Sequence, residues 1–140
     1  MIRGKCFCGK VYYEGKSEIL ISGICHCADC QRITGGGIWP FVGILREVLV
    51  AEGPLKSWTR CGASGKSVEM QFCGVCGSTL FGRPERWPTL VTISASSLER
   101  DIPFAPKMHV WVQDMQTGIL LDERIPQFLK NPYPLEGSEN

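Results

Sequence analysis

The cysteines are the feature that most constrains this sequence. The chain has 140 residues and eight cysteines, seven of which fall into three short groups. The groups are C-x-C at Cys6 and Cys8, C-x-C-x-x-C at Cys25, Cys27 and Cys30, and C-x-x-C at Cys73 and Cys76. The N-terminus carries charge but no apolar run, so we expect no secretory signal and a cytoplasmic location. In such a reducing compartment, clustered cysteines more often hold metal than form disulfides.

The first and last groups together predict a structural zinc site. On an extended chain, residues i and i+2 point to the same face, so Cys6 and Cys8 can reach one ion. The glycines of "CGVCG" suit a tight turn around Cys73 and Cys76, because glycine tolerates positive φ. Two such pairs make a closed four-thiolate site. The competing interpretation is disulfides or unconnected thiols.

The middle group predicts a second zinc ion with an open position. Cys25, Cys27 and Cys30 can surround one metal, and three protein ligands with a free fourth position are typical of catalytic zinc. A second structural site, with Cys61 as its fourth ligand, is the alternative. An iron–sulfur cluster is less favoured, because no fourth cysteine stands at a ferredoxin-type interval. We therefore expect two zinc ions per chain.

Short β-rich segments separated by glycine and proline predict an all-β fold with very little helix. One helical turn is expected at 28–34, before a run of three glycines. We expect a single domain over 1–130 and a flexible tail over 131–140. The predicted strands are 10–16, 18–24, 38–45, 47–53, 55–60, 67–72, 89–96 and 107–112.

Charge and hydropathy exclude two classes of partner. The formal net charge is +1, and no basic stripe interleaved with aromatic residues is present, so nucleic-acid binding is not expected. No apolar stretch approaches the roughly 18 residues of a membrane-spanning helix. The oligomeric state is not encoded in any pattern we recognise.

Four motifs, in this order, resemble the GFA family of glutathione-dependent formaldehyde-activating enzymes: "CFCG", "CHCADCQRITGG", "FCGVCGSTLF" and "MHVW". The resemblance implies a β-tent fold in which one zinc is structural and a second is bound by the C-x-C-x-x-C segment. By that resemblance, the structural ligands are Cys6, Cys8, Cys73 and Cys76, and the second set is Cys25, Cys27 and Cys30. It also implies a carbon–sulfur lyase that combines glutathione with formaldehyde, giving S-hydroxymethylglutathione.

Two further residues are candidates for the site. In "KMHVWV", His109 shares a strand face with Trp111, so it could line a pocket as the acid–base residue if the valines are core. A surface histidine beside a packed tryptophan is the alternative. Arg32 follows the metal segment and could bind a substrate carboxylate. His26, between two ligands, is expected to be structural.

The main alternative function is a noncatalytic module. In that interpretation both zinc ions are structural, Cys61 closes the second site, and an exposed sheet binds a protein partner. The enzyme hypothesis instead predicts that the second zinc accepts an external thiol, supplied by glutathione or a similar small molecule.

Overall fold

A computed structural model describes residues 1–132 of the chain. These residues form ten strands and one α-helix, α1, at Ala28–Thr34. The strands are β1 (Ile2–Lys5), β2 (Tyr12–Gly15), β3 (Ile21–Cys25), β4 (Trp39–Leu45), β5 (Leu49–Glu52), β6 (Leu55–Cys61), β7 (Ser67–Cys73), β8 (Thr79–Pro84), β9 (Leu90–Ser94) and β10 (His109–Val110). Three short 3-10 turns complete the secondary structure of this region.

The strands form two sheets. The small sheet has the order β1-β2-β5, and the large sheet has the order β10-β3-β4-β9-β8-β7-β6. All pairings are antiparallel except that of β10 with β3, which is parallel. A mostly β fold with two sheets and one helix confirms the predicted fold class.

The large sheet carries apolar residues on both faces. On β4, Val42 and Ile44 are completely buried against the small sheet, in a core that includes Phe81 and Ile93. Trp39 and Phe41 face the other way and pack in a second cluster with Cys25 and Cys30. Because both faces are apolar, β4 reads as a nearly continuous hydrophobic run and not as an alternating one. The second cluster is the face that carries the candidate site.

Helix α1 is short because its ends are fixed by local chemistry. Cys27 is its N-cap, and the Cys27 Sγ accepts a hydrogen bond from the Cys30 backbone N–H at 3.3 Å. Gly35 ends the helix in the left-handed conformation, with φ of 67°, which glycine adopts without steric cost. The helix lies in the predicted place, directly before the three glycines.

Each strand predicted from the sequence overlaps an observed strand, whereas β1 and β8 were not predicted. Both are short segments interrupted by glycine, Gly4 and Gly82, which weakens the sequence pattern.

Residues 133–140, most of the predicted tail, lie outside the described residues. Lys130 and Asn131 still accept hydrogen bonds from Trp111, so the ordered structure continues past residue 130. Within residues 1–132, no helix has the length and apolar character needed to cross a membrane.

Candidate metal centres and cavity

The four-cysteine cluster joins two distant parts of the chain. The Sγ atoms of Cys6, Cys8, Cys73 and Cys76 all lie within 4.8 Å of one another. The Sγ atoms of Cys6 and Cys8 are 3.5 Å apart, and those of Cys8 and Cys73 are 3.7 Å apart. A tetrahedral ion with bonds of about 2.3 Å to sulfur requires sulfur–sulfur separations of about 3.8 Å. The four thiols therefore have the spacing that a four-thiolate metal site needs.

Backbone N–H groups turn toward these sulfurs. Val11 donates to the Cys6 Sγ at 3.3 Å, and Val75 donates to the Cys73 Sγ at 3.4 Å. Each turn contains a glycine of positive φ, Gly9 at 75° and Gly77 at 76°. The N–H dipoles favour negatively charged sulfur, so both turns suit thiolates. Among these residues, Cys76 has a thiol pKa lowered to about 5, chiefly by the hydrogen bond from the Ser78 side chain.

The second cluster contains three thiols. The Sγ atoms of Cys25, Cys27 and Cys30 lie within 4.8 Å of one another, and no fourth cysteine, histidine or carboxylate in residues 1–132 joins them. Cys25 ends β3, whereas Cys27 and Cys30 belong to the cap and first turn of α1. The change from strand to helix brings the three sulfurs together. This cluster could hold a metal ion and leave a coordination position free.

The electrostatics of the second cluster concentrate negative charge on one sulfur. Hydrogen bonds from Cys25 and then Cys30 lower the pKa of the Cys27 thiol to about 2, and Arg60 lowers it further. The pKa of the Cys25 thiol is raised to about 12, chiefly by its hydrogen bond to Cys27. The pKa of Cys30 is raised as well, by its bonds to the same two thiols. A metal ion bound at this cluster would displace the protons that the Cys25 and Cys30 thiols retain.

The second cluster opens onto a cavity of about 490 Å³. Many of its lining residues belong to strands of the large sheet, on the face opposite the small sheet, and the others come from α1 and the connecting loops. The β-sheet register places Cys25 beside Trp39, Gly23 beside Phe41, and Leu45 beside Leu90. The apolar wall residues include Ile21, Trp39, Phe41, Val68, Leu90 and Val110.

Cationic side chains lie around this apolar wall. Arg60, Lys66 and Arg86 line the cavity, and Arg60 pairs with Asp29 of α1 at 3.1 Å. Arg60 is opposite Val68 in the β6–β7 pairing, which directs it to the cavity face of the sheet. The cavity can therefore receive a ligand that has both an anionic group and an apolar part.

Comparison with known proteins places the chain in a family. The family model of the glutathione-dependent formaldehyde-activating enzyme, GFA, matches residues 1–114. The chain belongs to the GFA family. This confirms the resemblance found in the sequence motifs.

One similar protein, from Halomonas elongata, is named "Putative glutathione-dependent formaldehyde-activating enzyme". It is 26% identical over 142 residues, which cover 97% of this GFA-family chain and 90% of the relative. A crystal structure of a Rhodobacter sphaeroides protein is similar with a TM-score of 0.55 and 17% identity, covering 89% of this chain and 98% of the other. At that identity the structural likeness concerns the fold alone.

The structure does not bring Arg32 to the cavity of this GFA-family protein. Its side chain is exposed on α1 and is absent from the cavity lining, whereas Arg60, from β6, lies beside the second cluster. A helical residue five positions after Cys27 points away from the face that carries Cys27 and Cys30. Nothing local in the sequence distinguished Arg60, because its position depends on the pairing of β6 with β7.

His109 faces away from the cavity, which reverses the faces expected for this segment. Val110 is opposite Cys25 and lines the cavity, whereas His109 is buried on the other side with 2% exposure. Strand β10 ends at Val110, and Trp111 adopts a left-handed φ of 58°. The strand alternation on which the expectation depended therefore stops before Trp111, which lines the cavity without His109.

His26 and His109 form a buried pair. The His26 Nε2 and the His109 Nδ1 are 2.9 Å apart, and the Asp122 backbone N–H donates to the His109 Nε2 at 3.0 Å. The His109 proton is therefore on Nδ1, which donates to His26. Burial lowers the pKa of both imidazoles, so the neutral forms are favoured. The prediction of a structural His26 agrees with this geometry.

Cys61 lies on the cavity lining but outside both clusters. Its thiol is exposed and contacts the Gly62 carbonyl oxygen at 3.5 Å. The described residues therefore do not use Cys61 to close the three-thiol cluster, as the noncatalytic alternative required.

Proposed function

We propose that this protein is a zinc-dependent enzyme of carbon–sulfur bond chemistry that forms or cleaves the adduct of a small thiol and an aldehyde. The supporting observation is a three-thiol cluster that opens onto a cavity with cationic and apolar walls. The names of the family and of the Halomonas relative point to glutathione and formaldehyde as the reactants. All eight cysteines are free thiols, which fits a reducing compartment such as the cytoplasm.

In this proposal the chain binds two zinc ions. Cys6, Cys8, Cys73 and Cys76 hold the structural ion, and Cys25, Cys27 and Cys30 hold the second. The second zinc would supply a coordination position at which an external thiol loses its proton. Three thiolates outweigh the charge of one zinc ion, so this ion suits a soft sulfur ligand better than activation of water.

The reaction is redox-neutral. In the forward direction the thiol sulfur forms a bond to the carbonyl carbon, the carbonyl π electrons move to oxygen, and the thiol proton ends on that oxygen. The reverse direction breaks the carbon–sulfur bond and returns the proton to sulfur. The cavity would hold both reactants in contact, which removes the entropic cost of their encounter. Arg60 would bind a carboxylate of the thiol substrate, because a guanidinium matches carboxylate geometry.

The test is exchange spectroscopy with labelled formaldehyde and glutathione. The wild-type protein is expected to accelerate exchange between free and thiol-bound formaldehyde, and Cys27→Ser is expected to abolish the acceleration. Cys61→Ser is the matched control, because it removes a cavity thiol that belongs to neither cluster. Equal exchange rates for the wild type, Cys27→Ser and a protein-free solution would refute the proposed reaction.

A further inference from the structure

The apolar wall of the cavity is larger than formaldehyde needs. Formaldehyde has two heavy atoms and fills roughly twice the volume of a water molecule, about 60 Å³. The cavity measures about 490 Å³. Glutathione can take part of the remaining space, but it is rich in charged and amide groups, which bind poorly to hydrocarbon walls.

Two of the three cationic lining residues lie together at one end of the cavity, and the third, Arg86, lies in the connection between β8 and β9. The cationic groups Arg60 and Lys66 come from the end of β6 and the loop that follows it. The floor comes from β3, β4 and β9, where Ile21, Phe41 and Leu90 lie on one sheet face. A charged thiol bound at the cationic end would leave this floor without a partner.

The apolar part of the cavity lining is also incompletely covered by the protein itself. Ile21, Val68 and Leu90 are only half-buried, although each lines the cavity. Removing this apolar surface from water is favourable, so a hydrocarbon group of a ligand that covered it would strengthen binding. A one-carbon aldehyde has no such group, whereas the alkyl chain of a longer aldehyde has one.

We infer that the cavity is built for thiol adducts of aldehydes that carry a hydrocarbon chain, with the chain on the floor formed by Ile21, Phe41 and Leu90. This inference rests on the proposed function, since it names the aldehyde class used at the same site. Three tryptophans, Trp39, Trp87 and Trp111, line the cavity and give a direct optical signal for occupancy.

The experiment uses S-methyl-, S-butyl- and S-hexylglutathione, which are stable mimics of adducts with increasing chain length. Their dissociation constants are measured by tryptophan fluorescence on the zinc-loaded protein. Each methylene that is fully buried strengthens binding by at most about fourfold. We expect S-hexylglutathione to bind at least tenfold more tightly than S-methylglutathione. Equal dissociation constants would overturn the inference.

Two variants locate the hydrocarbon subsite. Leu90→Asn makes the floor polar and is expected to remove most of the chain-length dependence, and Val68→Thr is expected to weaken it with little change of shape. Leu45→Asn is the matched control, because Leu45 is the cross-strand partner of Leu90 but does not line the cavity. A chain-length dependence unchanged in Leu90→Asn and Val68→Thr would place the alkyl group elsewhere and overturn the inference.

An activity measurement separates the two proposals. Rates of adduct formation from glutathione are compared for formaldehyde and hexanal, and we expect a higher kcat/KM for hexanal. Turnover of formaldehyde without any preference for longer chains would overturn the substrate class and leave the proposed reaction intact. Chain-length-dependent binding without turnover of any aldehyde would instead overturn the proposed reaction.

Discussion

The two thiol clusters use the same ligand chemistry in different surroundings. The first contains four thiols and joins the β1–β2 turn to the turn between β7 and β8. Cys6 and Cys73 of this cluster are part of the core between the sheets. The second contains three thiols at the junction of β3 and α1 and faces the cavity.

The difference shows that two sites with the same ligand chemistry can have different roles because they lie at different places in the fold. At the first cluster, four sulfurs can complete a tetrahedron, and the ion would connect segments some 65 residues apart. At the second, all three thiols lie within six residues, so an ion there would constrain little of the chain. We therefore expect metal at the first cluster to stabilise the fold and metal at the second to support function.

The largest expected effect is the loss of the fold in Cys73→Ser. Cys73 is completely buried, and its cluster joins the β1–β2 turn of the small sheet to the β7–β8 turn of the large sheet. Structural zinc contributes roughly 10 kcal/mol or more in small zinc domains, which is comparable to the whole stability of a typical domain. We expect this variant to lose bound zinc and its cooperative thermal transition, measured by elemental analysis and circular dichroism.

Cys61→Ser provides the comparison for that experiment. It removes an exposed thiol outside both clusters, so zinc content and Tm should match those of the wild type. A Cys73→Ser protein with an unchanged Tm would show that the four-thiol cluster is not structural.

A smaller effect is expected at the second cluster. Cys27→Ser should lower the zinc content from two ions to one, while the cooperative transition persists. Cys27 is also the helix N-cap, and a serine hydroxyl can keep that hydrogen bond. Cys27→Ala should lose the metal and the cap together, and be about 1 kcal/mol less stable than Cys27→Ser in denaturant unfolding. Two zinc ions retained in both variants would contradict a metal site at this cluster.

The members of each short thiol group could be predicted from the sequence, because they depend on local spacing, whereas joining the first and last groups followed from the four ligands that a structural zinc ion needs. The C-x-C and C-x-x-C intervals predicted which sulfurs meet, and the structure brings those sulfurs together. Most strands and the position of α1 were also predicted, since periodic apolar residues and the glycines after Thr34 are local signals.

The cavity could not be predicted in the same way, because its lining depends on which strands pair. Arg60 reaches the second cluster only through the register of β6 on β7. His109 turns away because β10 pairs in parallel with β3 and ends before Trp111, whose positive φ no periodic pattern reveals. Arg32 was favoured because it is near in sequence, whereas Arg60 is near in space.

The two clusters should also differ in how metal binding depends on pH. The pKa values of Cys25 and Cys30 are raised, so both thiols keep their protons at neutral pH and a metal must displace two protons. Affinity at this cluster should therefore rise with pH, by up to about a hundredfold per pH unit. At the first cluster only Cys8 has a raised pKa, about 11, whereas the pKa of Cys6 is lowered and that of Cys76 is lowered to about 5.

Chelator competition between pH 6.5 and 7.5 measures this difference, with Cys27→Ser reporting the first cluster alone. We expect the zinc that Cys27→Ser lacks to be released first as the pH falls. Release of both ions over the same pH range would show that the clusters do not differ in proton competition.

The smallest expected effect in this series concerns substrate binding. It tests whether Arg60 or Arg32 binds the carboxylate of the thiol substrate. Arg60→Gln should raise the KM for glutathione by about tenfold, since a charge-assisted hydrogen bond contributes roughly 1.5–3 kcal/mol. Stability should change by less than about 1 kcal/mol, because Asp29, its ion-pair partner, is half-exposed. Arg32→Gln is the matched control and should leave KM unchanged, since Arg32 does not line the cavity. The opposite result would mean that the substrate approaches along α1 and not through the cavity, and would remove the argument that links the cavity to the three-thiol cluster.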